Sequence, residues 1–140
     1  MTRSIVAYVA TALAFVALDF LWLTLASPTI YQVEIGPLLL AEPKMVPAAL
    51  FYLIYMAGVV VFVVLPAADK GQLRAATLKG ALFGVVAYAT YDLTNLATLE
   101  GFSAKLAVID MVWGGLVTGV AAGVGYLAAV RVRGSQVVVA

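Results

Sequence analysis

The apolar residues of this chain fall into four runs of about 20, each long enough to cross ~30 Å of hydrocarbon as an α-helix. The runs span residues 5–26, 46–65, 78–99 and 106–130, and the polar residues, prolines and glycines collect between them. Pro43 and Pro47 punctuate the start of the second run, Pro66 closes it, and Gly71 opens the turn before the third. In the longest connection, Ser27 to Lys44, Ser27-Pro28 reads as an N-cap followed by a first-turn proline, and Tyr31 and Ile35 stand one helical turn apart before Gly36-Pro37. A short interfacial helix is expected there. The pattern predicts an all-α integral membrane protein, a four-transmembrane-helix bundle forming one domain over residues 1–134, with a disordered tail at 135–140.

Composition supports a lipid-facing surface. Of the 140 residues 65% are hydrophobic and only 11% charged, with a mean hydropathy of +1.11. The basic residues set the orientation: Arg3, Lys70, Arg74, Lys79, Arg131 and Arg133 flank the two termini and the second connection, against Lys44 and Lys105 in the other two. That asymmetry predicts both termini in the cytoplasm. A cleaved signal peptide ending near Ala26 fits less well, because the apolar run is long, contains Asp19 and places bulky Trp22 near the cleavage point. Without Cys or His the chain holds no disulfide and no thiolate or imidazole metal site, and a net charge of +1 gives no reason to expect nucleic acid. No metal and no cofactor is expected.

The candidate chemistry lies in the acids. Asp19, Asp92 and Asp110 fall inside the runs, where each costs about 2.5–3.5 kcal/mol on insertion scales. Counting ~1.5 Å per residue along helices of alternating direction brings all three to one depth, in the outer half of the bilayer. Trp22, Thr24, Tyr52, Tyr55, Tyr88, Tyr91, Thr94, Asn95 and Trp113 gather near that layer. Tyr88, Asp92 and Asn95 share one helix face, and Asp-x-x-Trp occurs twice, as Asp19–Trp22 and Asp110–Trp113. Any basic partner is lacking at that depth, Lys105 being expected to extend to the headgroups, so burial and mutual repulsion predict at least one protonated carboxyl. The bland alternative makes the acids interhelical hydrogen-bonding groups worth ~0.6 kcal/mol per contact, and makes Tyr52, Trp22 and Trp113 interface anchors. Gly115, Gly119 and Gly123 on the fourth run, and Gly80 and Gly84 on the third, allow close helix approach within the chain or in a homodimer.

Ala17-Leu18-Asp19 with Trp22, Gly36-Pro37-Leu38-Leu39, the stretch Tyr88-Ala89-Thr90-Tyr91-Asp92-Leu93-Thr94-Asn95, and Asp110 with Trp113-Gly114 together resemble a family of predicted bacterial membrane proteins, domain of unknown function 2177, over residues 2–129. The resemblance implies a multi-pass bacterial inner-membrane protein. It carries over no activity, catalytic residue or cofactor, and the frequent neighbourhood of members with cyclopropane-synthase-type enzymes suggests lipid metabolism by association alone.

Three functional readings follow. The leading one is a small permease or amphiphile- or cation-binding protein in which Asp19, Asp92 and Asp110, with Tyr88, Tyr91, Asn95, Trp22, Trp113 and Tyr55, form the site. A second makes the protein a membrane subunit for a lipid-modifying partner. The third, an intramembrane acid–base enzyme acting on a lipid, is the less favoured, for no motif of such enzymes is present.

Overall fold

The computed structural model describes the backbone of residues 1–137 and the side chains of residues 1–132. The chain forms α1 (Thr2–Ala26), α2 (Gln32–Ile35), α3 (Met45–Val59), α4 (Leu65–Asp69), α5 (Leu73–Thr98) and α6 (Ala104–Val137). The described part of the expected 135–140 tail continues α6 as far as Val137, and residues 138–140 lie outside the described residues.

Two prolines that read as helix boundaries turn out to lie within continuous helices. Pro28 and Pro66 each lack the N–H that would bond the carbonyl four residues earlier. In both places the helix loosens into a π-turn, Ser27–Tyr31 and Val60–Val64. There the N–H groups of Gln32 and Leu65 donate to carbonyls five residues back, on Ser27 and Val60. Ser27 is therefore helical and caps nothing with its side chain. The first helix runs through Thr2–Leu38 and the second through Met45–Asp69. Tight reversals at Gly71 (φ 66°) and Gly101 (φ 80°) then lead into α5 and α6, a backbone conformation that glycine adopts without strain.

Thr2–Leu38, Met45–Asp69 and Ala104–Val132 are long and apolar enough to cross a membrane. At 26 residues, or ~39 Å, α5 also has the length, but Arg74, Lys79, Asp92 and its threonines dilute its apolarity. The hydroxyls of Thr90, Thr94 and Thr98 donate to carbonyls four residues earlier on the same helix, which satisfies them on an exposed face. The structure is thus a bundle of four long helices, three of them strongly apolar.

The bundle is organised around α6, which packs against α5 on one side and α1 on the other. Each neighbour offers α6 a stripe stepping four residues at a time: Ala7, Thr11, Phe15 and Asp19 on α1, and Ala76, Gly80, Gly84, Tyr88 and Asp92 on α5. Small residues set the approach. A Cβ on Gly84 would lie 2.1 Å from the Gly114 carbonyl oxygen, and one on Gly125 would lie 2.0 Å from the Thr11 hydroxyl. Gly115, Gly119 and Gly123 face Val85, Ala81 and Thr77 of α5. Of the two arrangements their spacing allows, the structure shows these glycines packing within the chain.

An ion pair of 2.7 Å between Arg3 and Asp69 fastens the start of α1 to the end of α4. At the opposite end α2 folds over the start of α6, where Ile35, Phe102, Leu106 and Ala107 form a small second core with Ile30 and Tyr31 against it. Glu34 accepts hydrogen bonds there from Ser103 (2.6 Å) and Lys105 (2.7 Å), while the Ser103 hydroxyl accepts the Leu106 N–H and caps α6. Lys105 thus extends to Glu34.

Candidate functional site

Each acid lies about two turns from the same end of its helix: Asp19 seven residues before the end of α1, Asp92 six before the end of α5, and Asp110 six after the start of α6. At ~1.5 Å per residue that is roughly 9–11 Å, so the three share a layer as the spacing predicts. All three are buried. They do not form one cluster, however, and among the described residues no group of three acidic side chains is placed to hold a metal ion.

Asp19 is fully engaged. Its Oδ2 accepts the Tyr52 hydroxyl at 2.6 Å and its Oδ1 accepts the Trp113 indole N–H at 3.2 Å, so it joins α1, α3 and α6. Asp110 is engaged on one side: the Tyr31 hydroxyl donates to its Oδ1 at 2.5 Å and itself accepts the Trp22 indole N–H at 3.1 Å. The indoles of Trp22 and Trp113 stack with centroids 4.6 Å apart and planes within 10°. The repeated Asp-x-x-Trp pattern acquires a meaning here. On antiparallel α1 and α6 each tryptophan reaches across to the other helix's acid, Trp113 directly and Trp22 through Tyr31. Asp92 differs from both, being wholly buried with neither carboxyl oxygen hydrogen-bonded.

Beside this network a cleft opens between α3 and α5. Phe83 of α5 packs against Tyr55 and Gly58 of α3, and nearer the termini α5 meets the π-turn and α4. Beyond Phe83, towards the acid layer, the helices part around a cavity of about 360 Å³ lined by Phe51, Ala87, Tyr88, Tyr91 and Asp110. Phe51 and Tyr91, 45% and 59% exposed, form its lips, so it opens sideways, towards lipid. Its walls are apolar and aromatic, with the Asp110 carboxyl as the acidic group among them.

Of the residues singled out from sequence, the structure brings Asp110, Tyr88 and Tyr91 to the cleft, sets Asp92 behind it, and places Asp19, Trp22 and Trp113 in the adjoining network. Tyr55 belongs elsewhere, sharing a 2.8 Å hydrogen bond with Thr118. Asn95 lies beside the Tyr91 phenol and binds none of the carboxyls. Sequence reasoning passed over Tyr31 and Phe51, and treated Tyr52 as an anchor. The signal for Tyr31 was its i, i+4 pairing with Ile35, which fixes the face that α2 lays on α6; Phe51 offered none.

A lipid-facing helical bundle with buried carboxyls and a lateral cleft defines a polytopic helical membrane protein. The chain belongs to the predicted membrane protein family DUF2177, whose model matches residues 4–127. No curated protein and no solved structure matches it.

Proposed function

We propose that this protein binds amphiphiles drawn from the bilayer, as a binding protein or small permease, with the cleft between α3 and α5 as its site. The observation that carries the reading is a cavity of about 360 Å³, within the ~300–1,000 Å³ of small-molecule sites, whose apolar walls face lipid and whose inner end presents Asp110. Phe51, Ala87, Tyr88 and Tyr91 take the hydrocarbon, and Asp110 takes a cationic or hydrogen-bond-donating headgroup. An intramembrane carboxyl is expensive to keep, and a ligand-binding role accounts for one open to the cleft. The six basic residues at the terminal end support a cytoplasmic location for that end and, with it, a cleft in the outer leaflet of a bacterial inner membrane. Acid–base catalysis is less favoured because, of the other two acids in the layer, Asp19 has both oxygens tied to Tyr52 and Trp113 and Asp92 is sealed from the surface.

The absence of native cysteine provides the test. With Ala87→Cys, a lipid-soluble maleimide fills the cleft, and binding of a radiolabelled long-chain amphiphile to protein-loaded nanodiscs is expected to fall to the level of empty discs. Undiminished binding after complete labelling refutes the cleft as the site.

A further inference from the structure

A second cavity, of about 620 Å³, lies between the end of the first helix and the segment 36–43 that follows it. Its polar side chains are Ser27, Tyr31 and Gln32, and none of its lining residues is charged. The π-turn builds this polar wall. In an α-helix residues five apart point about 140° away from each other. Here the Gln32 N–H bonds the Ser27 carbonyl, which sets those two residues one turn apart on one face with Tyr31 beside them. Tyr31 is fixed from its far end, where the hydroxyl donates to Asp110 and accepts the Trp22 N–H. The Ser27 hydroxyl and the Gln32 amide make no hydrogen bond among the described residues, so both are open to an occupant. The facing wall is apolar, with Leu39 and Leu40 both exposed. Ser27 lies eight residues beyond Asp19, ~12 Å nearer the end of the span, which sets this cavity at the level of lipid headgroups.

We propose that this cavity binds the headgroup of an uncharged, hydroxyl-bearing lipid, of the monoacylglycerol or glycosyl type, as a second site apart from the cleft. The Ser27 hydroxyl both donates and accepts, and the Gln32 amide offers two N–H donors and a carbonyl acceptor, so the pair can satisfy neighbouring hydroxyls in either sense. The volume suits a small polar headgroup. A charged headgroup finds no counter-charge in the wall, and the hydrocarbon chain of the lipid lies along Leu39 and Leu40.

Gly36 supplies the reporter, because it lines the cavity, has a helical φ of −45° and has nothing within 4 Å of an added Cβ. In the otherwise cysteine-free chain in zwitterionic nanodiscs, the rate at which Gly36→Cys reacts with a water-soluble, uncharged methanethiosulfonate is followed as 1-monolauroylglycerol is added. Saturable slowing is expected, with none from dodecyltrimethylammonium at the same membrane mole fraction and none from free glycerol. Adding Ser27→Ala and Gln32→Leu together is expected to weaken this protection at least tenfold, the scale of two neutral hydrogen bonds. The unprotected rate should stay the same, which shows that the cavity remains folded and open. No slowing by monolauroylglycerol, or equal slowing by dodecyltrimethylammonium, overturns the proposal without any change to Ser27 or Gln32. Protection that survives the double change overturns it as well, and equal protection by free glycerol overturns the assignment to a lipid. Labelling of Ala87→Cys tests the cleft separately, so either site can fail alone.

Discussion

Gly84→Ala tests the central packing claim most directly. A methyl group at residue 84 would sit 2.1 Å from the carbonyl oxygen of Gly114, 2.7 Å from its carbonyl carbon and 2.7 Å from the Thr118 hydroxyl. That is roughly 1 Å inside ordinary van der Waals contact, and two of the three obstacles are backbone. The α6 backbone has little room to recoil, since Trp113, next to Gly114, is already stacked on Trp22 and bonded to Asp19 of α1. Helix propensity favours alanine by about 1 kcal/mol. Overpacking of a tight interface costs about 1–3 kcal/mol or more, and rigid obstacles put this site at the upper end. A net loss of about 2 kcal/mol is expected, with the Tyr55–Thr118 hydrogen bond disturbed as α5 moves away. Gly36→Ala is the matched control, because a Cβ there meets nothing within 4 Å. Reversible unfolding in mixed micelles, followed by circular dichroism, gives both numbers. Wild-type stability for Gly84→Ala, or an equal loss for Gly36→Ala, would show that α5 and α6 do not meet through this glycine.

Further outcomes follow from the same geometry. The two tryptophans are the chain's complement and they stack, so Trp22→Phe and Trp113→Phe should each abolish any exciton couplet in the circular dichroism; a couplet surviving either change would contradict the stack. Tyr31→Phe removes the donor to Asp110 and the acceptor for Trp22, and is expected to destabilise by about 1–3 kcal/mol, clearly more than Tyr8→Phe, whose hydroxyl makes an exposed 3.2 Å bond to Leu53; equal effects would refute the network. Lys105→Met is expected to leave unfolding within experimental scatter, since the lysine side chain is 71% exposed and its pairing with Glu34 is screened by solvent; a large loss would mean that the α2 clasp depends on this charge. In the cysteine-free chain, Tyr91→Cys should react with a lipid-soluble maleimide and Asp92→Cys should not, whereas the reverse would mean that α5 is rotated about its axis.

Much of the architecture was legible because lipid imposes its own constraint. Backbone groups in hydrocarbon must bond within the helix, so runs of apolar residues about 20 long define the elements, and counting along antiparallel helices brings Asp19, Asp92 and Asp110 to one depth. The prolines misled for a physical reason. Pro28 and Pro66 remove one hydrogen bond each, and local pattern does not show whether the chain breaks there or absorbs the loss in a π-turn. Glycine spacing likewise identifies a close-approach face without naming its partner; Gly115, Gly119 and Gly123 meet α5 because the turn at Gly101 returns the chain alongside it.

The sequence by itself determined the solvent, the number of long helices, the layer of acids and the residue types within it, all of which depend on distance along the chain. The tertiary structure alone decided the roles of the three carboxyls, because a hydrogen bond depends on rotation about helix axes and on which helices are neighbours. Asp19 meets Tyr52 and Trp113, Asp110 meets Tyr31, and Asp92 meets no donor. The cleft also belongs to the fold, since α3 and α5 part beyond Phe83 and no single-helix pattern records a gap between two helices.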